Sequence, residues 1–187
     1  MAAPAVTKAD RASGILIKAP TNLGLTLAAA YGGTALGLSR SHRASFFDIP
    51  SPVPLEELGG VAGEFLEGGK WCALTALFRG WDDDAIAAVW PNTSTGGGGS
   101  KVISAGTAQS VRAGHLVTDR AFKLLYAPYN PNHRGLIIYR ACPLIDPEGS
   151  DVVKSALGED ALEVRFVGIP DSSGRVYQIA KLSEMTL

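Results

Sequence analysis

The sequence predicts a mainly β protein: an antiparallel β-barrel or sandwich with one short packed α-helix and a long extended loop or hairpin arm. Its 22 glycines and 11 prolines among 187 residues indicate a chain with many turns. Between these turn residues lie short segments rich in apolar and β-branched side chains, which are typical of strands. With 46% hydrophobic and 19% charged residues, the composition is that of a globular protein large enough to bury a core.

The beginning of the chain is predicted to be an arm followed by the first strands. Residues 1–13 form the N-terminal arm, and residues 14–187 form a single β domain. Gly14–Ala19 is an apolar segment that ends at a proline, as expected for a strand. Leu23–Leu27 alternates apolar and small residues, the two-residue period of a half-buried strand. A further strand is expected to open at Leu36–Leu38, after a turn at two glycines.

Residues 39–69 differ in composition from the segments around them. Prolines occur at every second position, at Pro50, Pro52 and Pro54, and five glycines follow before residue 70. Because proline has no N–H to donate, this pattern excludes a strand in the centre of a sheet. We therefore predict an extended loop, or a hairpin arm that stands away from the core.

The clearest strand candidate is Lys70–Arg79, which contains no glycine or proline and is predicted to be a central strand. A short helix should follow it. Asp82 is the expected N-cap, and the next acidic residues suit the positive end of the helix dipole. Ile86, Val89 and Trp90 then fall on one helical face, and the next proline ends the helix.

The second half of the chain continues the β pattern. Residues 92–113 form a Gly-rich loop insertion, whose four consecutive glycines lack the spacing of a phosphate-binding loop. His115–Tyr126 and Leu136–Cys142 are strand candidates that pair as a hairpin across the turn at residues 128–135.

The end of the chain is predicted to contain the last two strands. Residues 143–160 form a polar connection with a short helical turn at Asp151–Leu157. Ala161–Ile169 alternates as a half-buried strand does. A tight hairpin turn at Pro170–Gly174 then leads into the last strand, Arg175–Lys181.

Sequence patterns of catalysis, metal binding and cofactor binding are missing. The three histidines lie in separate segments, and no nucleophile elbow or pair of histidines at metal-ligand spacing occurs. We therefore expect no enzyme, no metal and no cofactor. The net charge of −1 argues against a dedicated nucleic-acid-binding protein. No apolar run reaches the roughly 18 residues of a membrane-spanning helix, and the N-terminus lacks a secretory signal pattern.

Two further groups of residues have open alternatives. Cys72 and Cys142 are either free core thiols or partners in a covalent link, within the chain or between subunits. Arg40 and Arg43, with His42 between them, form the only small basic cluster. A solvated surface or a contact with a partner subunit explains this cluster better than a nucleic-acid patch. A good core, a long arm and no convergent polar cluster together indicate an assembly subunit.

Three stretches of the chain resemble one known family. They are Pro54–Gly60 with Phe65–Lys70; Trp71–Phe78 continuing through Arg79–Ile86 to Trp90 and Pro91; and Val164–Asp171 with Gly174–Val176. Together they resemble the tail tube proteins of long-tailed bacteriophages, over roughly residues 14–181. The resemblance implies a tube-like β domain that forms hexameric rings, which stack into the tail tube through which DNA is ejected.

The resemblance also implies partners and contacts. Other tail proteins are expected to bind the tube: a terminator, a baseplate, a tape measure and, in a contractile tail, a sheath. DNA would pass without specific binding, in a virion tail assembled in the host cytoplasm. Residues 39–69 would be the arm that reaches a neighbour, with Phe46 and Phe47 as anchors unless they pack on their own domain. Alternatives are a neck, terminator or baseplate ring, a secretion-system tube component, or a small β-barrel ligand-binding domain.

Overall fold

The residues that the structure describes form an antiparallel sheet with few other elements. A computed structural model describes residues 14–23, 31–36, 39–55, 61–79, 93–95, 101–103, 117–130, 132–144, 152–154 and 160–187. The strands are β1 Gly14–Lys18, β2 Thr34–Ala35, β3 Ser39–Leu55, β4 Val61–Arg79, β5 Thr93–Thr95, β6 Lys101–Ile103, β7 Phe122–Pro128, β8 Arg134–Leu144, β9 Val152–Lys154, β10 Asp160–Gly168 and β11 Tyr177–Lys181. Two short 3₁₀ helices are Val117–Arg120 and Leu182–Glu184.

Nine of these strands form one sheet in the order β2-β1-β7-β8-β10-β4-β3, with β11 paired to β8 and β9 paired to β10. Strands β5 and β6 form a separate two-stranded sheet within residues 92–113, where a loop is predicted. The predicted mainly β, antiparallel fold is confirmed. The barrel is not closed, because β2 and β3 lie at opposite ends of the sheet order. The predicted short helix at Asp82–Trp90 lies outside the described residues.

The sheet curls over its main core. Rings from β3 reach across to distant strands: His42 lies 4.5 Å from Tyr126 of β7, and Phe46 lies 4.7 Å from Tyr177 of β11, between ring centroids. The enclosed cluster comprises Leu16, Leu36, Cys72, Leu74, Ala76, Phe78, Leu124, Leu136, Ile138, Ala141, Val164 and Phe166. Because side chains alternate along each strand, every second residue of β4 from Cys72 to Phe78 enters this core.

A second apolar cluster covers the opposite face of β1, β7 and β8. Its members are Ile17, Tyr31, Leu125, Ala127, Ile137, Tyr139, Leu182 and Met185. The C-terminal segment packs here, and polar contacts hold it in place. The hydroxyl of Tyr139 donates to Oε1 of Gln178 at 3.0 Å, and the same oxygen accepts the N–H of Thr186 at 3.1 Å. The central strands are therefore buried on both faces.

Strands β10 and β11 do not form the predicted hairpin. Both pair with the same side of β8 and run in the same direction, β10 beside Ala141–Leu144 and β11 beside Arg134–Ile138. The turn between them closes on itself, with the N–H of Gly174 donating to the carbonyl of Asp171 at 3.0 Å. The chain therefore leaves the sheet after β10 and re-enters it as β11 on the same side of β8. The predicted turn is present, but the predicted pairing of these two strands with each other is wrong.

Two other predictions differ from the structure. Val152–Lys154, where a helical turn is predicted, is a strand paired with Asp160–Leu162 of β10. Backbone pairing with an existing strand outweighs a weak local helical pattern. In the segment predicted as a strand over His115–Tyr126, Val117–Arg120 is a 3₁₀ helix and the strand begins at Phe122.

The long arm is a hairpin rather than a loop, and only part of it stands away from the sheet. Strand β3 pairs with β4 from Ser39 to Leu55 with three register shifts. Strand β10 pairs with the other side of β4 only from Cys72 to Arg79. Beyond that point residues 50–55 and 61–67 form a two-stranded segment, which we call the ribbon.

The prolines of the arm occupy the edge strand of the sheet. Pro50, Pro52 and Pro54 all lie in β3, which has a strand neighbour on one side only among the described residues. Backbone groups of alternate residues point to the same side of a strand. Prolines at every second position therefore remove N–H donors from one side and leave the pairing with β4 intact. At the base of the ribbon Gly69 has a φ of 130°, a backbone conformation that residues other than glycine rarely adopt.

We predict that Gly168→Ala destabilises the fold. A β-carbon at this position would lie 2.7 Å from Cγ2 of Ile138 and would also collide with Sγ of Cys72. Overpacking of this kind costs about 1–3 kcal/mol in free energy of unfolding. Urea unfolding of the two proteins measures this loss. In a Cys72→Ala background the sulfur is gone, so Gly168→Ala should lower the free energy of unfolding by less. An equal loss there would contradict the collision with the Cys72 sulfur as a cause.

We also predict that Asp171 makes stability depend on pH. Its carboxylate accepts the N–H groups of Ser173 and Arg175 at 2.9 and 2.8 Å and pairs with the Arg175 guanidinium at 2.9 Å. Burial acts to raise the pKa of Asp171, but these bonds outweigh it and hold the pKa below the usual aspartate value. The contribution of the ionised Asp171 carboxylate to fold stability is therefore full above about pH 4. It is lost as the pH falls through the lower pKa that Asp171 has in the folded state.

The check compares the wild type with Asp171→Asn by thermal unfolding over that pH range. The stability advantage of the wild type should shrink as the pH falls. An advantage that stays constant with pH would contradict a role for the ionised carboxylate.

Candidate functional site

The candidate site is the outward face of β3, β4 and β10, on the side of the sheet opposite the main core. Directly paired residues point to the same face of a sheet, and Arg43, Thr75 and Arg165 are paired across the three strands. Arg43 and Arg165 are both exposed, and Thr75 is half-buried between them. With strands about 4.8 Å apart, the two arginine backbones are roughly 10 Å apart.

An aromatic pair extends this face toward the base of the ribbon. Phe47 and Trp71 are paired in the register of β3 and β4. Their rings stack with centroids 3.9 Å apart and planes at 9°. The guanidinium carbon of Arg165 lies 5.9 Å from the Trp71 ring centroid, within the range of a cation–π contact. We call Arg43, Phe47, Trp71, Thr75 and Arg165 the arginine face.

Phe46 belongs to the other side of the sheet. It is paired with Cys72 of the core and contacts Tyr177, yet it remains 44% exposed. Phe47 contacts Trp71 of its own chain. The two neighbouring phenylalanines therefore lie on opposite faces of the sheet. Ile49, at the base of the ribbon, is 53% exposed.

The structure brings together only part of the predicted contact set. Arg43 joins Phe47 on the arginine face. Arg40 lies in β3, and its side chain lies outside the described residues. Trp71 and Arg165 were not identified from the sequence. The alternation along β4 shows which of its residues share a face with Trp71. Arg165 joins this face only through the register between β4 and β10, and no local sequence pattern specifies that register.

The two cysteines are free and buried. Cys72 pairs with Gly168 of β10, and Cys142 pairs with the adjacent Val167. Because adjacent residues of a strand point to opposite faces, the two thiols lie on opposite sides of the sheet, with β10 between their strands. Burial raises the pKa of Cys72 to about 11, despite a backbone hydrogen bond from Gly168 that lowers it. Burial also raises the pKa of Cys142, against the lowering effect of Arg140 and Arg120.

Metal-ligating side chains do not cluster among the described residues. Within the described residues, no group of three or more His, Cys, Asp or Glu side chains is placed to hold a metal ion. His42 lies on the core side of β3, where burial lowers its pKa. His115 and Asp82–Asp84 lie outside the described residues. In the part of the chain that the structure describes, no helix has the length and apolar character needed to span a membrane.

Chains similar to this one occur in solved structures. No protein-family model and no curated protein matches the chain. The chain is similar to one in the virion of a native gene transfer agent particle, with 14% identity, coverage of 91% of this chain and 98% of that chain, and a TM-score of 0.47. It is also similar to a chain in the tail of an empty gene transfer agent particle with C6 symmetry. That match has 16% identity, coverage of 89% and 94%, and a TM-score of 0.44.

We predict that neither thiol reacts readily in the folded protein. The thiolate is the reactive species, so the raised pKa and the burial both slow the reaction. Labelling with iodoacetamide at about pH 8 should modify neither cysteine in native protein and both in urea. Non-reducing electrophoresis should show only monomers, and a disulfide-linked dimer would contradict the two free thiols.

Proposed function

We propose that this chain is a structural subunit of a phage-like tail, which forms hexameric rings that stack into the tail tube. DNA would pass through the tube during ejection. The chain acts by assembly rather than by catalysis, and its site is the hairpin of β3 and β4. The single observation that carries the proposal is the ribbon, which extends past β10 and has no further strand neighbour among the described residues.

The ribbon needs a partner to be stable. An isolated two-stranded hairpin is marginally stable in water, and burial against another surface is the usual remedy. The ribbon sequence contains Val53, Leu55, Val61, Phe65 and Leu66, an apolar content that a solvated loop seldom has. Exposed Ile49 stands at its base. A neighbouring subunit would supply the missing contacts, as the resemblance to tail tube proteins implies for residues 39–69.

The same proposal gives roles to the rest of the chain. Residues 14–187 form the tube-like domain, residues 1–13 an arm, and residues 92–113 a surface insertion. Repetition of the subunit around a ring would cover the open sheet ends, which removes exposed strand edges. The inner wall would be neutral or acidic, since a basic wall would bind DNA phosphates and slow the passing strand.

The proposed partners are further copies of the chain and the other tail proteins. These are a terminator, a baseplate, a tape measure and, in a contractile tail, a sheath. The proposed location is the virion tail, after assembly in the host cytoplasm. A neck, terminator or baseplate ring would use the same fold in about six copies per particle, whereas a tube would contain many.

Light scattering after size exclusion, with negative-stain images of the same fraction, tests the proposal. Rings or tubes support it, and the copy number per particle separates a tube from a single ring. A monomer at every concentration, with and without the tail initiator complex, would contradict it.

We predict that Ile49→Ser weakens self-association without loss of fold stability. The side chain is exposed, so its removal leaves the core unchanged, while a partner would lose an apolar contact worth about 1–3 kcal/mol. The matched control is Ile179→Ser on β11, where the isoleucine is 42% exposed. Concentration-dependent light scattering should separate the two variants. Equal association of both would argue against the base of the ribbon as a contact.

A further inference from the structure

The ribbon has an unbalanced charge. The ribbon contains two glutamates, two more stand in the sequence between its strands, and no lysine, arginine or histidine occurs between Ile49 and Gly69. The two in the ribbon, Glu64 and Glu67, lie in β4 opposite Val53 and Pro50, on opposite faces of the ribbon because they are three residues apart. The Asp48–Lys70 pair, with 4.0 Å between its charged atoms, marks the base of this segment. Any surface that receives the ribbon must therefore accommodate negative charge together with apolar side chains.

The arginine face has the complementary properties. Arg43 and Arg165 are exposed on one row of the sheet, and Phe47 and Trp71 add half-buried aromatic surface beside them. One carboxylate, Glu163, lies on the same face two residues before Arg165 and leaves the face with net positive charge. Guanidinium groups are weakly hydrated and bind carboxylates through paired N–H donors, so two exposed arginines, one of them against an aromatic ring, suit an acidic, apolar segment.

We infer that the arginine face of one copy is the docking surface for the acidic ribbon of a second copy. The inference rests on the proposed function, because it assumes that copies of this chain associate. Beyond the proposed function, it specifies the surface that receives the ribbon and the charged residues that make the two surfaces complementary. The contact is head-to-tail, since the ribbon and the face are different parts of the chain, and such contacts build rings or filaments.

The geometry favours this occupant over nucleic acid. A phosphate backbone would need a longer basic surface than two arginines with a nearby carboxylate. A face that bound DNA would also hinder transit if it lined the tube. A ribbon from a neighbour supplies both the carboxylates and the apolar residues that the face can accept.

The ribbon and the face lie in the same hairpin, so a copy cannot place its own ribbon on its own arginine face without breaking the pairing of β3 with β4. Strand β4 runs through both, with Trp71 on the face and Glu67 in the ribbon. The two surfaces are therefore available to different neighbours at the same time. This permits each copy to donate one contact and receive another.

Charge reversal tests the inference in the full-length protein. The face variant is Arg43→Glu with Arg165→Glu. The ribbon variant is Glu64→Lys with Glu67→Lys, which reverses the glutamate on each face of the ribbon and so covers whichever face docks. Each should raise the concentration needed for association by about tenfold or more, because like charges then meet in the contact. The variant that carries all four changes should restore association, since the charges are again complementary.

A matched control keeps the same change in net charge. Arg134 and Lys181 are exposed and paired between β8 and β11, away from the hairpin. Arg134→Glu with Lys181→Glu should leave association within about twofold of the wild type, as expected for charges outside the contact. Circular dichroism of every variant confirms that the fold is retained.

The outcomes distinguish this inference from the proposed function. Loss in the face and ribbon variants with recovery in the fourfold variant supports the docking. If neither charge reversal weakens association, or if the fourfold variant does not recover it, the docking is overturned and the tube proposal stands. A wild type that never associates overturns the proposed function. Tight binding of a short DNA duplex that the face variant abolishes would assign the arginines to nucleic acid and overturn the docking.

Discussion

The antiparallel pairing of β4 with both β3 and β10 is the constraint on which the rest of the structure depends. This one register decides which residues of three strands face the core and which face outward. A slip of one residue would exchange Cys72, Leu74 and Ala76 for Ala73 and Thr75 in the core. It would also separate the two arginines from the aromatic pair. Core and candidate interface therefore depend on the same set of backbone hydrogen bonds.

Much of the fold can be predicted from single segments of the sequence. The strands at Gly14–Lys18, within Lys70–Arg79 and around Leu136–Cys142 are long, apolar and bounded by turn residues. The alternating prolines correctly exclude a central position, because the missing N–H groups have a direct backbone consequence. These features are local, so neighbouring residues are sufficient to identify them.

What could not be predicted depends on contacts between distant segments. The turn at Pro170–Gly174 has the composition of a hairpin turn, but β10 and β11 both pair with β8 instead. The pairing partner of a strand is chosen by packing of the whole sheet rather than by the turn beside it. No local pattern predicts the arginine face for the same reason. Arg43 and Arg165 are more than a hundred residues apart and meet only through the register of β4.

The turn between β10 and β11 has a practical consequence. The N–H of Ile169 donates to the carbonyl of Arg140, and the N–H of Tyr139 donates to the carbonyl of Val176. Both ends of the turn are thus fixed to neighbouring residues of β8, while Ser172, Ser173 and Gly174 at its tip are exposed. Extra residues between Ser172 and Ser173 would leave and re-enter the sheet at the same two points, at the cost of the hydrogen bonds from Ser173 and Arg175 to Asp171. This position is accordingly suited to carrying a foreign peptide, such as an epitope or a labelling tag, displayed once per subunit.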